Sequence, residues 1–144
     1  MEIDWSDQMA KIHQADVTIE LFPRKYSEKG EDVFIASMFT IEVEQRFIFN
    51  FYGSLLLESE FQDLLSGMRE LLDGTSEKFL LDPIEPYFVL RIERKADDLY
   101  KWTVWARTGP KRVDAFFFPR EAVERFYGQL EQEMAEILPP PFLP

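Results

Sequence analysis

From Val17 onward, apolar and polar residues alternate. Val17, Ile19 and Leu21 share one face with Thr18 and Glu20 opposite, the period of a half-buried strand. A polar stretch from Pro23 to Asp32 reads as a loop. Val33–Glu44 alternates again, with Phe39, Ile41 and Val43 on one side. After a turn near Gln45, Phe47, Phe49 and Phe51 form the next apolar face, with Tyr52 on the other, so the two stretches predict an antiparallel hairpin. The period then changes. Phe61, Leu64, Leu65, Met68, Leu71 and Leu72 recur at three- and four-residue steps. Ser59-x-x-Gln62 has capping-box spacing and Gly74 suits a left-handed stop, which predicts a helix over about 59–73.

A short strand is expected at 77–81, followed by a bend at Asp82-Pro83-Ile84-Glu85-Pro86. Phe88, Leu90 and Ile92 define the next strand face. Ala96-Asp97-Asp98 forms a turn, and Trp102, Val104 and Ala106 continue the apolar face on the strand after it. Thr108-Gly109-Pro110 turns the chain into a last strand, whose core face is read as Val113, Ala115 and Phe117. Pro119 fits the first position of a second helix, striped by Val123, Phe126, Tyr127, Leu130, Met134, Ile137 and Leu138. Pro139-Pro140-Pro141 ends it in an extended tail. The order β-β-β-α-β-β-β-β-α predicts an α+β fold: a mainly antiparallel sheet of about six to seven strands, covered on one side by two amphipathic helices. Residues 1–144 read as a single domain without repeats or linker. Residues 1–16, with no clean period, form a lead-in or frayed end, and residues 139–144 a proline-rich tail.

Composition narrows the chemistry. There is no cysteine, which excludes disulfides, thiol catalysis and iron–sulfur ligation, and His13 is the one histidine, so no His-pair zinc motif exists. The glycines are scattered, without phosphate-loop spacing. Neither a cofactor nor a metal site is expected. Asp97-Asp98 reads as a solvated hairpin tip, His13 as an exposed side chain, and Asp114 as an outward carboxylate that a pocket would make interesting. No apolar run approaches the ~20 residues of a membrane helix. The acidic start lacks the basic and apolar regions of a signal peptide, which favours the bacterial cytoplasm.

The net charge of −11 argues against nucleic acid and anionic membranes and permits a basic protein partner. Seven of the 16 basic residues nevertheless fall between 91 and 112. Two surfaces stand out as partner-binding candidates. One is an acidic edge on the second helix, Glu131, Glu133 and Glu136, where negative charge opposes the helix dipole. The other is an aromatic sheet face of Tyr87, Trp105, Phe116 and Phe118. The same aromatics leave two other readings open: a ligand or enzyme pocket beside Asp114, and a homodimer through the aromatic face.

Three stretches carry a resemblance: FNFYGSLLL running into ESEFQDLLSGMRELLDG, the strand entry LLDPIEPYFVLRIER, and FFFPREAVERFYGQL leading into the last helix. Together they cover about residues 33–144 and resemble WapI-type immunity proteins. The acidic start and the Pro-Pro-Pro-Phe-Leu-Pro tail depart from that pattern. The resemblance implies a small, cytoplasmic, non-catalytic protein that binds the toxic domain of a contact-delivered toxin, often a basic nuclease. It transfers no individual functional residue.

Overall fold

The structure, a computed structural model, describes residues 10–26, 34–108 and 111–137. Residues 1–9, most of the expected loop before Phe34, the Gly109-Pro110 turn and the proline-rich tail lie outside the described residues. Among the described residues, eight strands form two four-stranded antiparallel sheets rather than one sheet of six to seven. The first contains β1 (Ala10–Gln14), β2 (Val17–Tyr26), β3 (Phe34–Val43) and β4 (Arg46–Leu57), in that order. The second contains β5 (Lys78–Leu81), β6 (Phe88–Arg94), β7 (Leu99–Ala106) and β8 (Arg112–Pro119). Helix α1 (Glu58–Asp73) continues directly from β4, and α2 (Arg120–Ile137) directly from β8. The class is α+β, and the backbone plan of four strands and a helix occurs twice in a sequence without a visible repeat.

The halves are interlocked. Helix α1 leaves the first sheet and packs on β5 and equally on α2, whereas α2 leaves the second sheet and packs chiefly on β1 and β2. The inner faces of the sheets meet at Phe88, whose ring lies 4.6 Å from Phe39 and 6.3 Å from Phe49. Trp102 continues this core between Phe118 (5.5 Å) and Phe126 (5.3 Å), both edge-on. Edge-to-face packing adds to the burial of these large rings. Arg120 clamps the helices together at their ends. Its Nη2 donates to the Leu72 carbonyl at 2.8 Å, satisfying an end-of-helix acceptor of α1, and its Nη1 donates to Tyr100 at 3.2 Å.

Several local expectations shift for physical reasons. The stretch that lacked periodicity contains β1, paired with β2 from Ala10↔Leu21 to Gln14↔Val17. Pro23 lies within β2 rather than starting the loop. It stands next to a register shift against β3, the kind of irregular position at which a strand accommodates proline. Helix α1 starts at Glu58. Glu60, not Gln62, reaches back: its Oε1 accepts the Leu57 amide at 2.9 Å and its Oε2 the Ile84 amide at 2.8 Å, pinning the proline bend. The expected stop at Gly74 holds, with φ 84° and the Thr75 amide donating to Glu70 at 3.0 Å in a Schellman closure. Pro119 ends β8 rather than opening α2. Phe47 is exposed, turned from the Phe49/Phe51 face by a register shift between Ile41 and Glu42.

The phase of β8 is inverted. Phe118 is fully buried, while Val113 and Phe117 are more than half exposed. Pairing explains it: the inward residues Tyr100, Trp102 and Val104 stand opposite Phe118, Phe116 and Asp114. Phe117 therefore belongs to the outer face, not the core.

Candidate functional site

The four aromatics expected on one face do not share one. Tyr87 stacks on Phe51 at 4.3 Å, between the sheets. Phe118 is core, and Phe116 is half-buried beside it at 6.4 Å. Trp105 alone lies on the outer face of the second sheet. For Phe116 and Phe118 the correction follows from the β8 phase, which brings Val113 and Phe117 to the outer face, Val113 opposite Trp105. Tyr87 lies in the turn before β6 and so is not held to that strand's alternation.

The acidic edge divides as well. Glu131 is exposed and accepts hydrogen bonds from Arg69 Nη2 at 3.1 Å and from the Tyr127 hydroxyl at 3.0 Å. Glu136 is exposed and accepts from Gln132 Nε2 at 3.4 Å. Glu133 is buried, with 7% exposure, because residues two apart on a helix point to opposite sides. Neither of its carboxylate oxygens makes a well-formed hydrogen bond among the described residues. Burial pushes its pKa up to about 8; the Ala10 amide on β1 opposes the rise and Glu136 adds to it.

Asp114 is bound by Arg112, whose Nε and Nη2 donate to it at 2.6 and 2.9 Å. It does not line the two recesses described next. One recess, about 530 Å³, lies at the tips of the β1–β2 and β3–β4 hairpins among His13, Asp16, Thr18, Glu42 and Glu44. His13 Nδ1 sits 2.7 Å from Thr18 Oγ1 there. The second, about 380 Å³, runs between α1 and β5 with Glu60, Asp63, Glu70 and Asp82 above Phe79 and Leu80. Among the described residues no group of three or more metal-ligating side chains could hold an ion. None of the described helices is long and apolar enough to cross a membrane.

Four of the seven basic residues in 91–112 lie against carboxylates, two of them sharing one. Arg91 and Lys95 approach Glu93 at 3.1 and 3.3 Å, Arg94 lies 4.0 Å from Asp98, and Arg112 pairs with Asp114. Arg91 also stacks its guanidinium 5.1 Å from the Trp105 ring centre. Sequence reading counted Arg91 among the basic residues of 91–112 and placed Trp105 on the aromatic face. The shared odd parity of the two, on paired strands whose even positions point inward, was the available signal.

Comparison with known proteins supplies what the geometry does not. The family model described as Immunity protein WapI-like family matches residues 9–138. The chain is 34% identical over 87 residues to Immunity protein WapI of Bacillus subtilis (strain 168), an alignment covering 60% of this chain and 61% of that protein. Among solved structures, MRP1/MRP2 of Trypanosoma bruciei aligns with a TM-score of 0.51 and 10% identity, over 87% of this chain and 81% of that one. A guide-RNA-binding protein complex bound to a guide RNA aligns with a TM-score of 0.49 and 10% identity, over 86% of each chain. At such identity these likenesses concern the fold alone.

Proposed function

From the premise that this chain belongs to the WapI-like immunity protein family, we propose that it neutralises a bacterial toxin domain by binding it inside the producing cell, without chemistry of its own. The observation that carries the reading is the extent of the family match, which runs from β1 to the end of α2 and so takes in both halves. The charge of −11 supports a basic toxin domain, because opposite fields raise the encounter rate. The commitment of Asp114 to Arg112 disfavours a carboxylate-dependent active site at that position.

The test is protection in cells. The C-terminal domain of any secreted protein found encoded next to this chain is induced in a host with or without the chain. Growth arrest relieved by the chain, with a stable stoichiometric complex on purification, is the expected result. Arrest that persists at high expression of soluble chain would refute the proposal.

A further inference from the structure

We propose that the outer face of the second sheet is the surface that takes the protein partner, and that the partner brings a carboxylate to Arg91 beside Trp105. This rests on the toxin-binding reading above and adds the place and the local chemistry.

The strand register lays the face out. Val89, Trp105 and Val113 form one row; Leu80, Arg91, Thr103 and Ala115 the next; Lys78, Glu93, Lys101 and Phe117 a third. Leu80, Val113 and Phe117 are each more than half exposed. Apolar and aromatic side chains left on one open face are the material of an interface core.

The charges identify the occupant. Glu93 is one carboxylate among four cations. Lys78 and Lys101 stand opposite it on the adjoining strands, and Arg91 and Lys95 approach it directly. Burial pushes the Glu93 pKa upward, yet Lys95, Arg91 and Lys101 together hold it below the usual range. The surplus here is positive, in a chain with a net charge of −11. Arg91 Nε is shut off from water and, although 3.1 Å from Glu93 Oε1, forms no aligned hydrogen bond. Thr103 Oγ1, on the strand beside it, is also buried without a partner among the described residues. A second carboxylate entering over the Arg91–Trp105 stack would balance the cations and use the planar guanidinium fork. A basic toxin domain can present such a residue locally while its overall field still steers it to this acidic chain.

Two other occupants fit less well. Nucleic acid would bring a phosphate backbone against the net charge, and Arg94 and Arg112 are already engaged by Asp98 and Asp114. A second copy docked by two-fold symmetry through this face would set one cation cluster against the other.

The experiment measures, by calorimetry, binding of an inactivated form of the toxin domain identified in the protection test. The proteins are the unaltered chain, Arg91→Ala, Trp105→Ala, Phe117→Ser and, on the outer face of the first sheet, Tyr52→Ala. Arg91→Ala and Trp105→Ala should each weaken binding by ~30-fold or more, as central Arg and Trp anchors do. Phe117→Ser should weaken it less, as positions away from the centre do, and Tyr52→Ala, outside the proposed interface, should stay within about twofold. Phe117 is half exposed and reports on the face even if a change at Arg91 or Trp105 disturbs folding. Arg91→Lys should restore only part of the affinity, because the ammonium keeps the charge and loses the fork. Tight binding by all three face variants would overturn the proposal while leaving the toxin reading intact. Loss confined to Tyr52→Ala would move the interface to the first sheet. Failure of the unaltered chain to bind would remove both proposals. Concentration-dependent dimerisation or RNA binding abolished by Trp105→Ala would show that the face serves a different occupant and would overturn this one.

Discussion

The two halves share a backbone plan and differ in what they leave exposed. On the outer face of the first sheet, the register aligns Lys11, Glu20, Thr40 and Asn50 in one row and Phe22, Met38 and Tyr52 in another. Its acids are Glu20 and Glu42. On the second sheet the equivalent face carries Arg91 stacked on Trp105, with a surplus of cations around Glu93. The helix seams differ too. Helix α1 meets β5 through Gly67, a close and uncharged contact with Phe79, while α2 buries Glu133 against β1. Repeating a fold does not repeat a surface: inward residues must be apolar in both halves, whereas outward residues are set only by what they meet.

If the halves were separate domains, damage to one would leave the other folded. Phe88 joins them, and Phe88→Ala should cost ~3–5 kcal/mol, the usual loss for a buried aromatic. Urea unfolding followed by both far-UV and tryptophan signals should remain a single transition. Two separated transitions would break the picture of interlocked halves.

Glu133 sharpens the contrast between the seams. Its folded pKa, about 8, lies above its unfolded value, so the folded state holds a proton that the unfolded state releases. Stability should therefore be full below the ordinary carboxylate range, fall as pH rises through the window to about 8, and level off beyond it. The loss is on the order of 2–4 kcal/mol, and Glu133→Gln should remove most of it. Denaturation midpoints from pH 5 to pH 8 check both statements.

At the other seam the constraint is steric. A Cβ built on Gly67 falls 2.2 Å from Phe79 Cδ1, so Gly67→Ala must displace that ring. A cost of about 1–3 kcal/mol is expected, as for overpacking elsewhere. Unlike the Glu133 effect it should not vary with pH, which the same titration of midpoints tests. The smallest effect concerns the outer face itself. Thr103→Val removes a buried hydroxyl without a partner and should be neutral or stabilising by up to ~1 kcal/mol in thermal melts.

Much of the fold was legible in the sequence where one period dominates. Helix α1 announces itself through Phe61, Leu64, Leu65, Met68 and Leu71, all of them buried. Strands β6 and β7 are equally clear, because Arg91 and Thr103 break the apolar runs at the right parity. The β8 strand is not, since Phe116, Phe117 and Phe118 are chemically alike and only pairing with Tyr100 and Trp102 fixes their phase. Strand β1 is short, and its inward pair, Ala10 and Ile12, contains only one strongly apolar residue, too little to mark a period. Whether α1 interrupts one sheet or separates two depends on contacts distant in sequence. The burial of Glu133 could have been read: it stands three residues after Leu130 and one before Met134, on the stripe that α2 buries. The candidate site was half legible for the same reasons. Trp105 was placed by alternation, Phe116 and Phe118 were misplaced with β8, and Tyr87 was misplaced because it lies in a turn just before β6.

The most direct test of the central claim, that the partner docks on the second sheet, is site-specific photocrosslinking. A benzophenone side chain is placed at position 113, opposite Trp105 and well exposed, in one protein and at position 52 in another, each mixed with the inactivated toxin domain. A strong covalent adduct from position 113 and none from position 52 is the predicted result. The reverse, with the two proteins binding the domain equally well, would contradict it.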